Sequence, residues 1–504
     1  MSDEDLVRQT SAAAGLANRA ARGAFVTFGG QAFKIVLQVA SVIVLARLLA
    51  PHDYGLIAMV MAVVGVADIF RDFGLSSAAI QAKQLTDAQR DNLFWLNSVI
   101  GVVLCTAIVA GAPLLSAFYD RPELTPLARV LALTFVLSGL ATQYRADLNR
   151  RLRFGSLAVA DVSASLVGLS VAVLFALSGA GYWSLAAQQI TQQLVMLAIV
   201  ATSARWLPGA PRRHTPMAHL LRYGWHLVGT QLIGYVGNNT DSVIIGARFG
   251  AGQLGLYNRA FQLLMTPLSQ LRSPTTTVAL PVLSRLQHDP RRFPAYVVRG
   301  QLTLGYSLVA GLGVVAGAAA PAVDFFLGPQ WTHVTPLLRL LAVAGALQTL
   351  SYVGYWVYLA CDLTVDLRRY TLLSTAIRVL CIVTGSLWGV VGVAAGYAVA
   401  PAIAWPLSIW WLSRRAPIPT RELITGALRL LVFTTVLSLA AFGTSLATSS
   451  WPSILQLLAC TAAATAAYGL MTVTSPTIRR DVLDVMDVVR RATARPGGPR
   501  LPGA

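Results

Sequence analysis

Five polar side chains recur along a stretch of otherwise apolar sequence. Thr27, Gln31, Lys34, Gln38 and Ser41 follow one another at intervals of four, three, four and three residues, which puts them on one face of a helix. Gln231, Tyr235, Asn238 and Ser242 repeat the intervals four, three and four, with Asn239 and Asp241 beside them. Amides and hydroxyls hydrogen-bond hydroxyl-rich molecules, and a cation attracts phosphate. This is binding chemistry. No nucleophile, base and oxyanion set accompanies it, so no catalytic residues are assigned and the chain is not read as an enzyme. Five of the six histidines, His52, His214, His219, His288 and His333, fall in loops or at the edges of apolar runs, and His226 stands alone within one. No metal site and no cofactor are expected.

Lys34 decides what kind of face this is. It lies about ten residues into its apolar run, roughly 15 Å deep at 1.5 Å per residue. A lysine facing lipid at that depth costs at least ~2.5–3.5 kcal/mol, so it is expected to line a cavity together with Gln31 and Gln38. The bland reading is a lysine paired with a carboxylate for packing. Arg259 and Arg272 also fall within apolar runs, with Arg272 between Pro267 and Pro274. Prolines remove backbone donors and can open a kink, so that segment is read either as a gate or as a packed polar helix. Asp241 and Arg259 lie at similar depth, which allows an ion pair between them. Asp68 and Asp241 are the candidates for ion coupling. Asp68, Arg71 and Asp72 read equally well as interfacial anchors.

The elements that must hold these residues follow from composition. Of 504 residues, 55% are hydrophobic and 12% charged, and the mean hydropathy is +0.62. A soluble domain carries about 25% charged residues. The chain therefore reads as an all-α integral membrane protein, not a soluble enzyme, a DNA-binding module or a disordered scaffold. About 20 apolar residues cross a bilayer, and that ruler gives about fourteen transmembrane helices. They lie near 24–46, 54–76, 92–116, 125–143, 155–177, 181–203, 219–246, 253–283, 297–320, 335–359, 370–388, 391–412, 423–444 and 453–473. The four cysteines form no CxxC, and no disulfide framework is expected. The acidic start MSDEDLVRQT shows no cleaved leader pattern.

The net charge of +18 would suggest nucleic acid in a soluble protein. Here its distribution gives another answer. With the N-terminus on the cytoplasmic side, the outer loops hold only Arg47, Arg121 and Arg248. Each inner segment holds a cluster, such as Arg145, Arg150, Arg151 and Arg153, or Arg285, Arg291, Arg292 and Arg299. That is the positive-inside rule. Topology accounts for the charge, no nucleic-acid partner is required, and both termini are expected in the cytoplasm.

The chain also repeats itself. TPLARVLA at 125–132 recurs as TPLLRLLA at 335–342, Ala112-Pro113 as Ala320-Pro321, and Gly55-Leu56 as Gly255-Leu256. A unit of six spans returns to its starting side, so the two copies are parallel and related by an axis along the membrane normal. The expected organisation is a cytoplasmic segment 1–23, a first six-helix bundle 24–203, a basic cytoplasmic linker 204–218, a second six-helix bundle 219–412 and two further transmembrane helices 413–474. A cytoplasmic amphipathic helix and disordered tail occupy 475–504. The interface of two such bundles is a cavity able to open to either side.

Several local stretches resemble one family. These are ARLLAPHDYGLIAMV, RDFGLSSAAIQ, NNTDSVIIGARFGAGQLGLYNRA, LPVLSRLQHDPRRF and FLGPQW. In this order the chain resembles, over about residues 20–415, the polysaccharide transporter branch of the MOP superfamily, the Wzx-type flippases. The resemblance implies a multi-pass protein of the bacterial cytoplasmic membrane. It implies a lipid-linked oligosaccharide on a polyprenyl diphosphate as substrate, moved from the inner to the outer leaflet. Membrane lipids surround such a protein, and glycan polymerase or export machinery are candidate partners. Lys34, Arg259 and Arg272 would attract the diphosphate, and Gln31, Gln38, Asn238 and Asn239 the sugar hydroxyls. Two alternatives share the architecture: a lipid II-type flippase and a multidrug or small-molecule exporter.

Overall fold

In the computed structural model, residue 33 and residues 36–72, 86–212 and 218–493 are described, with backbone alone for 218–230, 233, 236 and 488–493. Every regular element among them is helical. Helices α1 (Val36–Leu48), α2 (Pro51–Asp72), α3 (Asp87–Tyr119), α4 (Leu124–Arg150), α5 (Phe154–Leu177) and α6 (Trp183–Ala204) come first. A long helical stretch Ala218–Leu286 is broken at Gly250 into α7 (218–249) and α8 (251–286). Then follow α9 (Arg292–Gly317), α10 (Ala319–Phe326), α11 (Val334–Ala360), α12 (Thr364–Gly385), α13 (Gly389–Ser413), α14 (Thr420–Ala447), α15 (Ser453–Thr474) and α16 (Pro476–Thr493).

Local sequence explains where these helices begin. Pro51 opens α2, where a missing N–H costs nothing, and the Asp53 carboxylate accepts from the Ala50 amide at 3.0 Å. Thr86 and Gln89 form a capping box ahead of α3. There the Thr86 hydroxyl accepts from the Gln89 amide at 3.2 Å, and the Gln89 side chain accepts from the Thr86 amide at 3.1 Å. Each satisfies a donor the helix start leaves open. The repeated TPL segments open α4 and α11 at the same register.

Ten helical stretches among the described residues are long and apolar enough to cross a membrane. Their outward faces carry large apolar side chains that a water-soluble protein would hide, such as Leu114, Leu174, Val432, Leu458 and Leu470. A continuous apolar exterior of this kind marks contact with lipid.

The chain divides into two compact units, Met1–Arg259 and Ala260–Ala504. In the first, α3 packs on α4, α5 on α6, and α4 on α6. Phe94, Tyr144, Leu148, Met196 and Val200 form a core there, with Trp206 packed against it. Its arginine-rich end is tied by Arg151–Asp147 at 3.0 Å and Arg145–Asp161 at 3.2 Å. In the second, α9 and α13 pack on α11, α12 on α13, and α14 on α9 and α15. Its core includes Leu283, Phe293, Trp356, Tyr358, Ile409 and Leu412.

Two features differ from the sequence reading. The non-helical turn of the long stretch lies at Gly250, which the sequence reading did not single out. At Pro267, Pro274 and Pro281 the backbone stays helical, and the single break in the stretch is Gly250 at φ 80°, ψ 178°. A side chain is strained at such angles, so glycine takes the turn. The second difference is α16, which does more than lie on a lipid surface. Ile478, Asp481 and Val482 are buried, and the Asp481 carboxylate pairs with Arg429 of α14 at 3.1 Å and accepts from the Tyr306 hydroxyl of α9 at 3.1 Å. Leu483 and Met486 remain exposed on its other side. Thr27, Gln31, Lys34, the segment 1–23 and the tail from 494 lie outside the described residues.

Candidate substrate-handling site

The junction of α2, α7 and the start of α8 holds most of the described candidate residues. Asp241 on α7 and Arg259 on α8 are both buried, 2% and 4% exposed. The turn at Gly250 folds α8 back along α7 and brings Tyr257 to Asp241. The tyrosine hydroxyl donates to the carboxylate at 2.6 Å, and the Ser242 amide donates to its other oxygen at 2.8 Å. Buried carboxylates require such donors. The Arg259 guanidinium sits over the Tyr54 ring of α2, 3.4 Å from its centroid. When both partners are desolvated, a cation over an aromatic face is worth about 2 kcal/mol.

Close backbone approach makes this junction possible. A Cβ at Gly55 would overlap the Ala251 carbonyl, and a Cβ at Gly255 would overlap the Pro51 carbonyl. Deeper along α2, the Tyr235 hydroxyl lies 3.0 Å from the Met61 carbonyl oxygen and 3.1 Å from that of Ala62. Gly65 leaves the space it occupies. The structure therefore brings Tyr235 and Arg259 against α2, with Asp241 held beside them by Tyr257. Asn239 donates to the Tyr235 carbonyl at 3.0 Å. Gln38, Gln231 and Asn238 are exposed, and Ser41 accepts from Gln188 of α6 at 3.0 Å. Asp68 is exposed and pairs with Arg71 one turn on at 3.2 Å.

Arg272 belongs to the second unit, where its guanidinium lies 5.4 Å from the Tyr352 ring centroid. There the fold assembles a feature that sequence reasoning missed. A cleft of about 320 Å³ among α11, α12 and α13 is lined by Tyr352, Tyr355, Tyr358, Tyr370, Trp405 and Arg378. Tyr352, Tyr355 and Tyr358 follow at three-residue intervals on α11, but nothing local says that Tyr370 and Arg378 of α12 and Trp405 of α13 close against them. The one available signal is the density of tyrosine in YVGYWVY at 352–358.

A family model described as "Polysaccharide biosynthesis protein" matches residues 44–336, more than half of the chain. The protein belongs to this polysaccharide biosynthesis family. Relatives within reach of sequence comparison span most of its length. The lipopolysaccharide biosynthesis protein WzxC of Escherichia coli is 28% identical over 71% of this chain and 74% of its own. The teichuronic acid biosynthesis protein TuaB of Bacillus subtilis is 26% identical over 76% and 80%. The succinoglycan biosynthesis transport protein ExoT of Rhizobium meliloti is 27% identical over 62% and 63%.

Among solved structures, the lipid II flippase MurJ in an inward closed conformation superposes with a TM-score of 0.64 at 13% identity, covering 89% of this chain and 98% of its own. An inward-facing MATE-family multidrug resistance transporter of the MOP superfamily gives 0.57 at 14%, covering 78% and 96%. The fold of this family member is thus the MOP transporter fold. Family and relatives point to transport in a bacterial membrane rather than to catalysis.

Proposed function

We propose that the protein is a flippase for a polyprenyl-diphosphate-linked oligosaccharide. It moves this substrate from the inner to the outer leaflet of the cytoplasmic membrane during surface polysaccharide synthesis, with both termini in the cytoplasm. The observation that carries the reading is the exposure of Gln38 on the apolar helix α1 and of Gln231 and Asn238 on α7 in a polysaccharide biosynthesis family member. Polar side chains are avoided at lipid-facing positions in the membrane and line water-filled space. A hydrated path is what the substrate needs. Its apolar tail can stay in lipid, but its charged, hydroxylated head loses hydration in hydrocarbon.

In this reading Gln31, Gln38, Asn238 and Asn239 hydrogen-bond sugar hydroxyls, and Lys34, Arg259 and Arg272 draw the diphosphate. The two six-helix bundles read from the internal repeat, within a set of fourteen spans, alternate between inward and outward opening. Asp241, buried and held by Tyr257, and Asp68, paired with Arg71, are the two coupling candidates. WzxC, TuaB and ExoT are named for lipopolysaccharide, teichuronic acid and succinoglycan biosynthesis, which favours an oligosaccharide over lipid II or a small drug.

The reading is tested by reconstitution. Purified protein in vesicles containing a polyprenyl-diphosphate trisaccharide should raise the fraction of that lipid reached by an external lectin. Empty vesicles should not. Equal lectin access in both would overturn the assignment.

A further inference from the structure

The cleft of the second unit is built like a carbohydrate site. Its aromatic rings come in two near-parallel pairs. Tyr352 and Tyr355 have centroids 5.8 Å apart and planes 30° apart, and Tyr358 and Tyr370 are 5.7 Å and 18° apart. Ring faces are electron-rich, and the C–H hydrogens on one face of a pyranose are electron-poor, so the two surfaces match. Gln348 and Ser351 on α11 and Ser374 on α12 also line the cleft, the amide as donor and acceptor and the two serine oxygens as acceptors for hydroxyls. Arg378 lines the cleft as well, with a planar guanidinium suited to a carboxylate or phosphate.

The walls are held in place from behind. The Trp356 indole donates to the Thr276 hydroxyl at 3.0 Å, and Thr276 donates to the Tyr352 hydroxyl at 3.1 Å. The Tyr370 hydroxyl donates to the Ala404 carbonyl at 3.2 Å. A preset surface loses little entropy when a ligand arrives.

An interfacial aromatic belt is the competing explanation, and depth argues against it. Belt residues sit at helix ends and face headgroups. Tyr358 and Tyr355 lie within about 8 Å of the Ala360 end of α11, but the cleft runs past them to Gln348, roughly 18 Å from that end, and to Arg378, roughly 21 Å along α12 from Thr364, at 1.5 Å per residue. Tyr358 is fully buried. A cleft with polar walls at that depth in apolar helices serves a polar ligand.

We infer that this cleft binds an anionic sugar ring of the transported glycan, its C–H face on Tyr352 and Tyr355 and its negative group on Arg378. The inference rests on the flippase reading for the identity of the glycan, but it can be tested without transport. Saturation-transfer NMR on the full-length protein in lipid nanodiscs would compare trigalacturonate with neutral maltotriose. Trigalacturonate should bind, and Tyr355→Ala and Arg378→Gln should each weaken it roughly tenfold, whereas Tyr355→Phe should not. Maltotriose should be insensitive to Arg378→Gln.

Added inorganic pyrophosphate distinguishes two sources of the anion. Displacement of trigalacturonate that depends on Arg378 assigns the anion position to the lipid diphosphate. Retention assigns it to a sugar carboxylate. Absence of binding, or binding unchanged in both the alanine and glutamine variants, would overturn the cleft assignment and leave the flippase reading standing. Variant-sensitive sugar binding in a protein that fails the vesicle assay would do the reverse.

Discussion

Gly55 and Gly255 each press against the backbone at the start of the other's helix, Gly55 on Ala251 and Gly255 on Pro51. The two glycines stand in the recurring Gly-Leu pairs at 55–56 and 255–256, and the same kind of glycine–backbone contact is made twice across one pair of helices. It brings α2 and α8 close enough for Tyr54 to cover Arg259.

A methyl group at either glycine has no rotamer that relieves the clash, because the obstructing atom is a carbonyl oxygen. Gly55→Ala and Gly255→Ala should each cost about 1–3 kcal/mol, as overpacking does. Their thermal unfolding midpoints in detergent should fall below wild type. Wild-type midpoints in both would show that α2 and α8 do not rely on this approach.

Asp241 and Tyr257 should be energetically coupled. Tyr257→Phe leaves a buried carboxylate short of a donor, at about 1–3 kcal/mol. Asp241→Asn can still accept from Tyr257 and should cost less than Asp241→Ala. A double-mutant cycle should return a coupling of about 0.5–3 kcal/mol. Strict additivity would contradict the contact.

Gly250, not the prolines, is the break in the long helical stretch. Gly250→Ala forces a side chain into a region essentially reserved for glycine, at about 1–3 kcal/mol. Pro267→Ala and Pro274→Ala restore a helical donor where the dihedrals are already helical, and should be neutral or stabilising. Circular-dichroism melts of the three variants give the order. A larger loss from either proline variant would relocate the hinge.

The docking of α16 should depend on pH. Burial raises the Asp481 carboxyl above its ordinary value of 3.8, with Arg429 and the Tyr306 hydroxyl opposing. A carboxyl raised in the folded state holds its proton more tightly there than in the unfolded chain. Its contribution is therefore complete below the unfolded value and declines as pH rises through the folded one. Melts taken from pH 4 upward should show wild type losing stability over this window while Asp481→Asn stays flatter. Equal slopes would remove Asp481 as the cause.

Much of the helical frame was legible because span length and helical periodicity are local properties. The apolar run near 155–177 forms Phe154–Leu177, and that near 453–473 forms Ser453–Thr474. Asp241 and Arg259 were legible as costly charges in apolar sequence. Their immediate partners were not. Tyr257 reaches Asp241 only because α8 folds back at Gly250, and Tyr54 reaches Arg259 only because two distant glycines let the helices close. The cleft tyrosines come from α11 and α12, and neither segment alone says that the two helices meet there. The turn at Gly250 was not legible, because composition alone does not say where the backbone turns.

The central claim, transbilayer movement of a lipid-linked oligosaccharide, is tested most directly in cells. A membrane-impermeant glycan probe would be applied to intact and opened cells depleted of the protein. Lipid-linked glycan should accumulate where only opened cells reveal it, and Lys34→Ala should reproduce the defect at normal expression. An unchanged amount and sidedness of lipid-linked glycan after depletion would contradict the account.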